Sequence, residues 1–230
     1  MFFMDSTWFL VIPPLILAVY AQARVRSTYK RYSRVGASSR LTAAEVARQI
    51  LNSRGAQEVK VEKIPGQLSD NYDPRSKVLH LSEGVHDSNS LAALGIAAHE
   101  AGHAIQHHNH YSPLAIRNLI YPVANIGSTL AFPLFFIGLI TSQKRGPSLL
   151  MDLGILLFAG AVLFSVITLP VEFNASKQAL AVLKERGYLN QTETAGARKV
   201  LSAAALTYVA ATAMAVMQLV RMLLLRDSRD

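Results

Sequence analysis

His99-Glu100-Ala101-Gly102-His103 spells H-E-x-x-H, a pattern that can set two imidazoles and a carboxylate around one zinc ion. On a helix, residues four apart share a face about 5–6 Å apart, so His99 and His103 can converge on a metal at roughly 2.1 Å from each nitrogen. Glu100 projects beside them and need not bind. It can take a proton from a metal-activated water whose pKa is lowered towards about 7. The chemistry this allows is hydrolysis of a peptide bond, with Glu100 as general base.

A catalytic zinc takes three protein ligands and keeps a position open for water, so a third ligand is required. His107 continues the stripe, but at 1.5 Å per residue it lies about 12 Å along the helix from His99, too far to share one ion. An extended motif with a third histidine would need Gly at position 106 and His at 109, where this chain has Gln106 and Asn109. Glu172 is the better candidate. It follows an apolar run directly, and two membrane crossings separate it from His103, which returns it to the histidines' face. The chain has no cysteine, which excludes thiolate ligands and disulfides.

The elements that would position these groups are legible in part. Asp87, Ser88 and Ser90 offer N-cap oxygens, and Leu91, Leu94, Ala98 and Ile105 recur at helical spacing, so the motif falls on a helix. Upstream, Thr42-Ala43-Ala44-Glu45 reads as a capping box opening a helix to about Ser53, with Gly55 as its stop. Residues 57–63 and 77–82 alternate as strands around the turn-rich stretch 65–74. They predict a hairpin beside the metal helix, whose edge could receive an extended substrate by backbone pairing.

Hydrophobic residues make up 51% of the 230, and they gather in runs long enough to cross a hydrocarbon core of about 30 Å. The first, 8–23, is interrupted by Pro13-Pro14 and followed, not preceded, by basic residues, the wrong polarity for a cleaved signal. An uncleaved anchor is expected. Runs 119–141 and 149–170 predict a helical hairpin joined by a short polar turn. A fourth apolar helix, 201–225, is rich in alanine and is expected either to span or to pack over the site. The net charge of +8 has no aromatic interleaving that would suggest nucleic acid, which is not expected as a partner. Arg24, Arg26, Lys30, Arg31, Arg34 and Arg40 follow the first run and Lys177, Lys184 and Arg186 the third, against Lys144 and Arg145 in the hairpin turn. By the positive-inside rule, the site should face the cytoplasm.

The segment His99 to Gln106, the upstream Tyr72-Asp73-Pro74 and Val78-Leu79-His80-Leu81-Ser82, and the downstream Pro170-Val171-Glu172-Phe173 together resemble the YugP-like family of small bacterial membrane-bound neutral zinc metallopeptidases. The resemblance covers nearly the whole chain. More remotely, the chain is similar to HtpX-like membrane peptidases, in which a Glu after a hydrophobic hairpin completes the zinc site. What the resemblance implies is one zinc ion held by His99, His103 and Glu172, Glu100 as base, and membrane-associated or misfolded proteins as substrates. It also exposes a departure: thermolysin-type and HtpX-like enzymes carry an Asp four residues after the ligand Glu to orient a histidine, and this chain has Ser176 there, so Asn174 or Ser176 could hydrogen-bond instead.

The fold expected is a mainly α membrane protein, with transmembrane helices plus a small zincin-like α+β metalloprotease part. Its organisation would be an N-terminal transmembrane anchor (1–23), a cytoplasmic part with the H-E-x-x-H helix (24–118), a transmembrane hairpin (119–170), and a third-ligand segment with the C-terminal helix (171–230). The expected setting is a bacterial inner membrane, crossed several times. Tyr208, His80 and Arg198 are the candidates for stabilising the oxyanion. The rival reading is an inactive membrane adaptor, in which a closed four-ligand metal site, completed by a residue such as His107 or His80, only staples the parts together.

Overall fold

A computed structural model of the chain describes residues 6–141 and 148–228. Lys144 and Arg145 lie outside the described residues. A 3-10 turn, Ser6–Leu10, leads into α1 (Ile12–Tyr32), followed by α2 (Ala43–Ser53), β1 (Lys60–Ile64), β2 (Asn71–Asp73), β3 (Val78–Ser82), α3 (Glu83–His86) and α4 (Leu91–His108). Three long helices complete the chain: α5 (Ser112–Thr141), α6 (Leu149–Glu185) and α7 (Gln191–Asp227). The protein is a mainly α membrane protein with a small α+β part. Gln22–Ala115 and Pro170–Ala205 form one compact unit, and the remaining described residues form a second.

In the second unit the apolar surface is turned outward. Leu119 is 79% exposed, and Ile126, Ile140, Leu149 and Leu156 are exposed with it, as hydrocarbon permits and water does not. The helices touch through small residues. A Cβ added at Gly154 would stand 2.7 Å from the Ala131 carbonyl oxygen, and one at Gly138 2.6 Å from the Met151 nitrogen, so α5 and α6 approach backbone to backbone. Four helical segments are long and apolar enough to cross a membrane: Thr7–Tyr32, Ser112–Thr141, Leu149–Glu185 and Gln191–Asp227.

Three expectations about elements are corrected. Pro13 and Pro14 do not interrupt the first helix; they occupy the opening turn of α1, where a missing N–H costs nothing. Residues 57–63 and 77–82 do not form a hairpin. β1 and β3 pair in parallel, Lys60 opposite Val78 through Ile64 opposite Ser82, and the turn-rich stretch holds β2, which pairs antiparallel to β3 and makes the order β1-β3-β2. The third apolar run does not end at Pro170. α6 runs through it, so Glu172 sits on a continuous helix.

The first unit is built around α4. Ser90 caps it, its hydroxyl accepting from the Ala93 N–H, while α2 opens with the expected Thr42/Glu45 capping box and is followed by Gly55 at a φ of +83°. Leu91, Leu94, Ala97, Ala98, Ala101 and Ala104 are all buried, which makes α4 apolar nearly all round, as in a helix enclosed by its neighbours. Its small side chains let those neighbours come close: a Cβ at Gly95 would meet Ala197 of α7 at 3.5 Å, and one at Gly102 would meet the Ala175 carbonyl oxygen of α6 at 3.0 Å.

Candidate metal centre

The near contact of Gly102 with Ala175 brings the turn of α6 that carries Glu172 beside the two histidines of α4. One donor atom each from His99, His103 and Glu172 lies within 4.8 Å of the other two. Glu172 Oε2 stands 3.2 Å from His99 Nε2 and 3.6 Å from His103 Nε2. Two donors each about 2.1 Å from a tetrahedral zinc are about 3.4 Å apart, so these separations are those of a ligand set. Glu172 is 2% exposed and His103 is buried. A buried carboxylate facing two imidazole nitrogens needs a cation among them, a proton or a metal, and the donor set of two imidazoles and one carboxylate suits zinc. Among the described residues, no fourth His, Asp or Glu joins the group.

The far side of each imidazole is also held. Ser176 Oγ lies 3.1 Å from His99 Nδ1, so Ser176 occupies the orienting position expected of it. Asn174 does not reach a histidine; its Oδ1 accepts from Gln106 Nε2. Gln106 is the residue that pattern and spacing do not single out. It is buried, and its Oε1 lies 3.0 Å from His103 Nδ1. The signal available was a lone amide three residues after His103 on the same face of a helix otherwise lined with alanine and isoleucine.

Glu100 is partly exposed beside the group and, among the described residues, makes no hydrogen bond. Burial pushes its carboxyl above the ordinary range, and the charges of Glu172 and Asp70 push the same way, while His99 and His103 pull it down. A carboxylate left unbonded, accessible to water and more basic than usual has the properties of a general base.

The other histidines singled out by the sequence do not join this group. His107 Nδ1 lies 2.8 Å from the Tyr72 hydroxyl on β2. Burial pushes the pKa of the Tyr72 hydroxyl up to about 12 and lowers that of His107; the phenol occupies one ring nitrogen of His107, which does not join the His99, His103 and Glu172 group. His108 pairs with Glu58 at 3.4 Å. His80 lies between the buried Leu79 and Leu81 on β3 and does not join the metal group. Arg198 is exposed on α7, and Tyr208 lies further along the same helix.

Because Gly102 sets the approach of α4 to α6, Gly102→Ala should lower stability by about 1–3 kcal/mol, the usual cost of overpacking, and weaken metal binding with it. Gly160→Ala, where a new Cβ meets nothing within 4 Å, should cost nothing. Thermal unfolding and chelator competition on the purified pair check this; equal behaviour would remove the role given to Gly102.

Compared with known proteins, residues 7–227 match the family described as "Putative neutral zinc metallopeptidase". The chain is also 46% identical over 217 residues to the protein named "Putative membrane protease YugP" of Bacillus subtilis (strain 168), covering 94% of this chain and 95% of that one. No solved structure matches the chain significantly.

Proposed function

Since the chain belongs to this neutral zinc metallopeptidase family, we propose that it is a membrane-embedded zinc metalloendopeptidase in which His99, His103 and Glu172 hold one zinc ion and Glu100 is the general base. The observation that carries the reading is the convergence of these three donors with an unbonded carboxylate beside them. Bound there, zinc would supply Lewis acidity, polarising a peptide carbonyl and lowering the pKa of water at its open position. Glu100 takes the proton from the attacking water and delivers it to the leaving amine. Ser176 and Gln106 keep the two imidazoles in place while this happens. β2, the edge strand packed beside α4, offers backbone groups to an extended substrate, the part a hairpin was expected to play.

Substrates would be proteins or peptides associated with the membrane or misfolded, in a bacterial inner membrane crossed several times. Detergent-purified protein should hydrolyse an unfolded protein such as casein, lose that activity to a zinc chelator and recover it on adding zinc. Zinc-loaded protein that cleaves nothing would favour the adaptor reading instead.

The catalytic face would be cytoplasmic. Arg24, Arg26, Lys30, Arg31, Arg34, Arg40, Lys177, Lys184 and Arg186 all belong to the compact unit that holds the metal group, and cytoplasmic segments accumulate such charge. Reporters fused near Arg34 or Lys184 should behave as cytoplasmic, and one inserted at Lys144 as external. If Arg34 and Lys184 report opposite sides, the two-crossing hairpin is wrong.

A further inference from the structure

The Gln106 side chain is 1% exposed and makes three hydrogen bonds that between them touch both helices of the metal group. Its Nε2 donates to the Val171 carbonyl oxygen at 3.0 Å and to Asn174 Oδ1 at 2.9 Å, both on α6. Its Oε1 lies 3.0 Å from His103 Nδ1 on α4. The two oxygens around Nε2 decide which way the amide points, because turning it over would set Oε1 against two acceptors. Oε1 therefore accepts from His103, the Nδ1 of that ring carries a proton, and Nε2, 3.6 Å from Glu172, is left as the nitrogen that can face a metal. The same amide grips α6 at Val171, the residue immediately before Glu172. One side chain thus sets the tautomer and ring orientation of one candidate ligand and the backbone position of another.

We propose that Gln106 is a positioning residue that prepares the site for zinc, presenting His103 Nε2 and Glu172 to the ion together before it arrives. The inference rests on the metal-site reading and adds the group that organises it. Ser176 at His99 is likewise uncharged, so the two groups that hold the imidazoles from behind add no negative charge to that of Glu172.

The test uses the full-length protein in detergent, with zinc affinity measured by chelator competition and geometry by the visible spectrum of the cobalt-substituted form. Gln106→Met keeps the volume and removes the amide. It should raise the zinc dissociation constant about 10- to 100-fold, the usual effect of losing a group that orients a ligand, and alter the cobalt bands, with the metal-free protein still unfolding cooperatively. Asn174→Ala, which removes one of the two anchors on α6, should weaken zinc several-fold alone and add little in the Gln106→Met background, because the two act through one network. Parental zinc affinity and an unchanged cobalt spectrum in Gln106→Met would overturn the proposal, whatever happens to stability. Should Gln106→Met not fold, Asn174→Ala decides alone: a several-fold loss supports the proposal and parental affinity sinks it. Glu172→Ala, run in parallel, separates the two levels. If it too keeps parental affinity, the metal-site reading has failed; if it loses zinc while Gln106→Met does not, only the role of Gln106 has.

Discussion

Glu172→Ala should strip the protein of zinc under a chelator the parent survives, while His107→Ala keeps its metal. The two residues are the alternatives for a third ligand, and the structure separates them. Glu172 Oε2 lies among the imidazole nitrogens at 3.2 and 3.6 Å, whereas His107 is bonded to Tyr72 further along α4. Removing the carboxylate leaves two imidazoles and water, so the affinity loss should exceed the roughly 10- to 100-fold that follows loss of a supporting group. Glu172→Gln refines the result. It preserves volume in a nearly closed space, so a large loss there too assigns the effect to charge and not to a cavity. Metal content after dialysis is the measurement. Retention of zinc by Glu172→Ala together with loss by His107→Ala would mean a differently built site, and the mechanism would fall with it.

The legibility of this site in the amino-acid sequence depends on range. The histidine pair is a local pattern: spacing fixes the face, Ser90 caps the helix, and α4 forms as expected. Glu172 needs topology as well, since only the return of the chain through two apolar runs places it near residues more than sixty positions earlier. Gln106 escapes notice because its role depends on which backbone passes beside it, and nothing in the spacing of α4 announces Val171 and Asn174. Pattern also fails where elements are short or unusual. β2 has three residues, too few for alternation to show, and without it β1 and β3 look like neighbours in a hairpin when they are parallel partners. Pro170 looks like a helix end, yet α6 passes through it. A proline inside a helix removes one backbone donor and strains a turn, a cost that packing on both sides can outweigh. The membrane helices are the easiest to read, because crossing hydrocarbon demands long apolar runs whatever their partners.

Glu100→Gln should leave zinc near one per chain and lower peptidase activity by at least about a hundredfold. The substitution keeps the side chain's length and leaves His99, His103 and Glu172 untouched, so nothing in the ligand set changes. What it removes is the ability to accept a proton from water and pass it on, and an amide cannot replace a carboxylate in that step; general bases of this kind contribute about 10²–10⁴-fold. The environment of Glu100 favours the transfer, since burial raises its proton affinity and no hydrogen bond among the described residues competes for its lone pairs. Zinc content and turnover of an unfolded protein substrate, measured on the same preparation, separate the outcomes. Loss of zinc together with activity would make Glu100 part of the metal shell. Retention of both would leave the attacking water with another base and reopen the adaptor reading of the whole site.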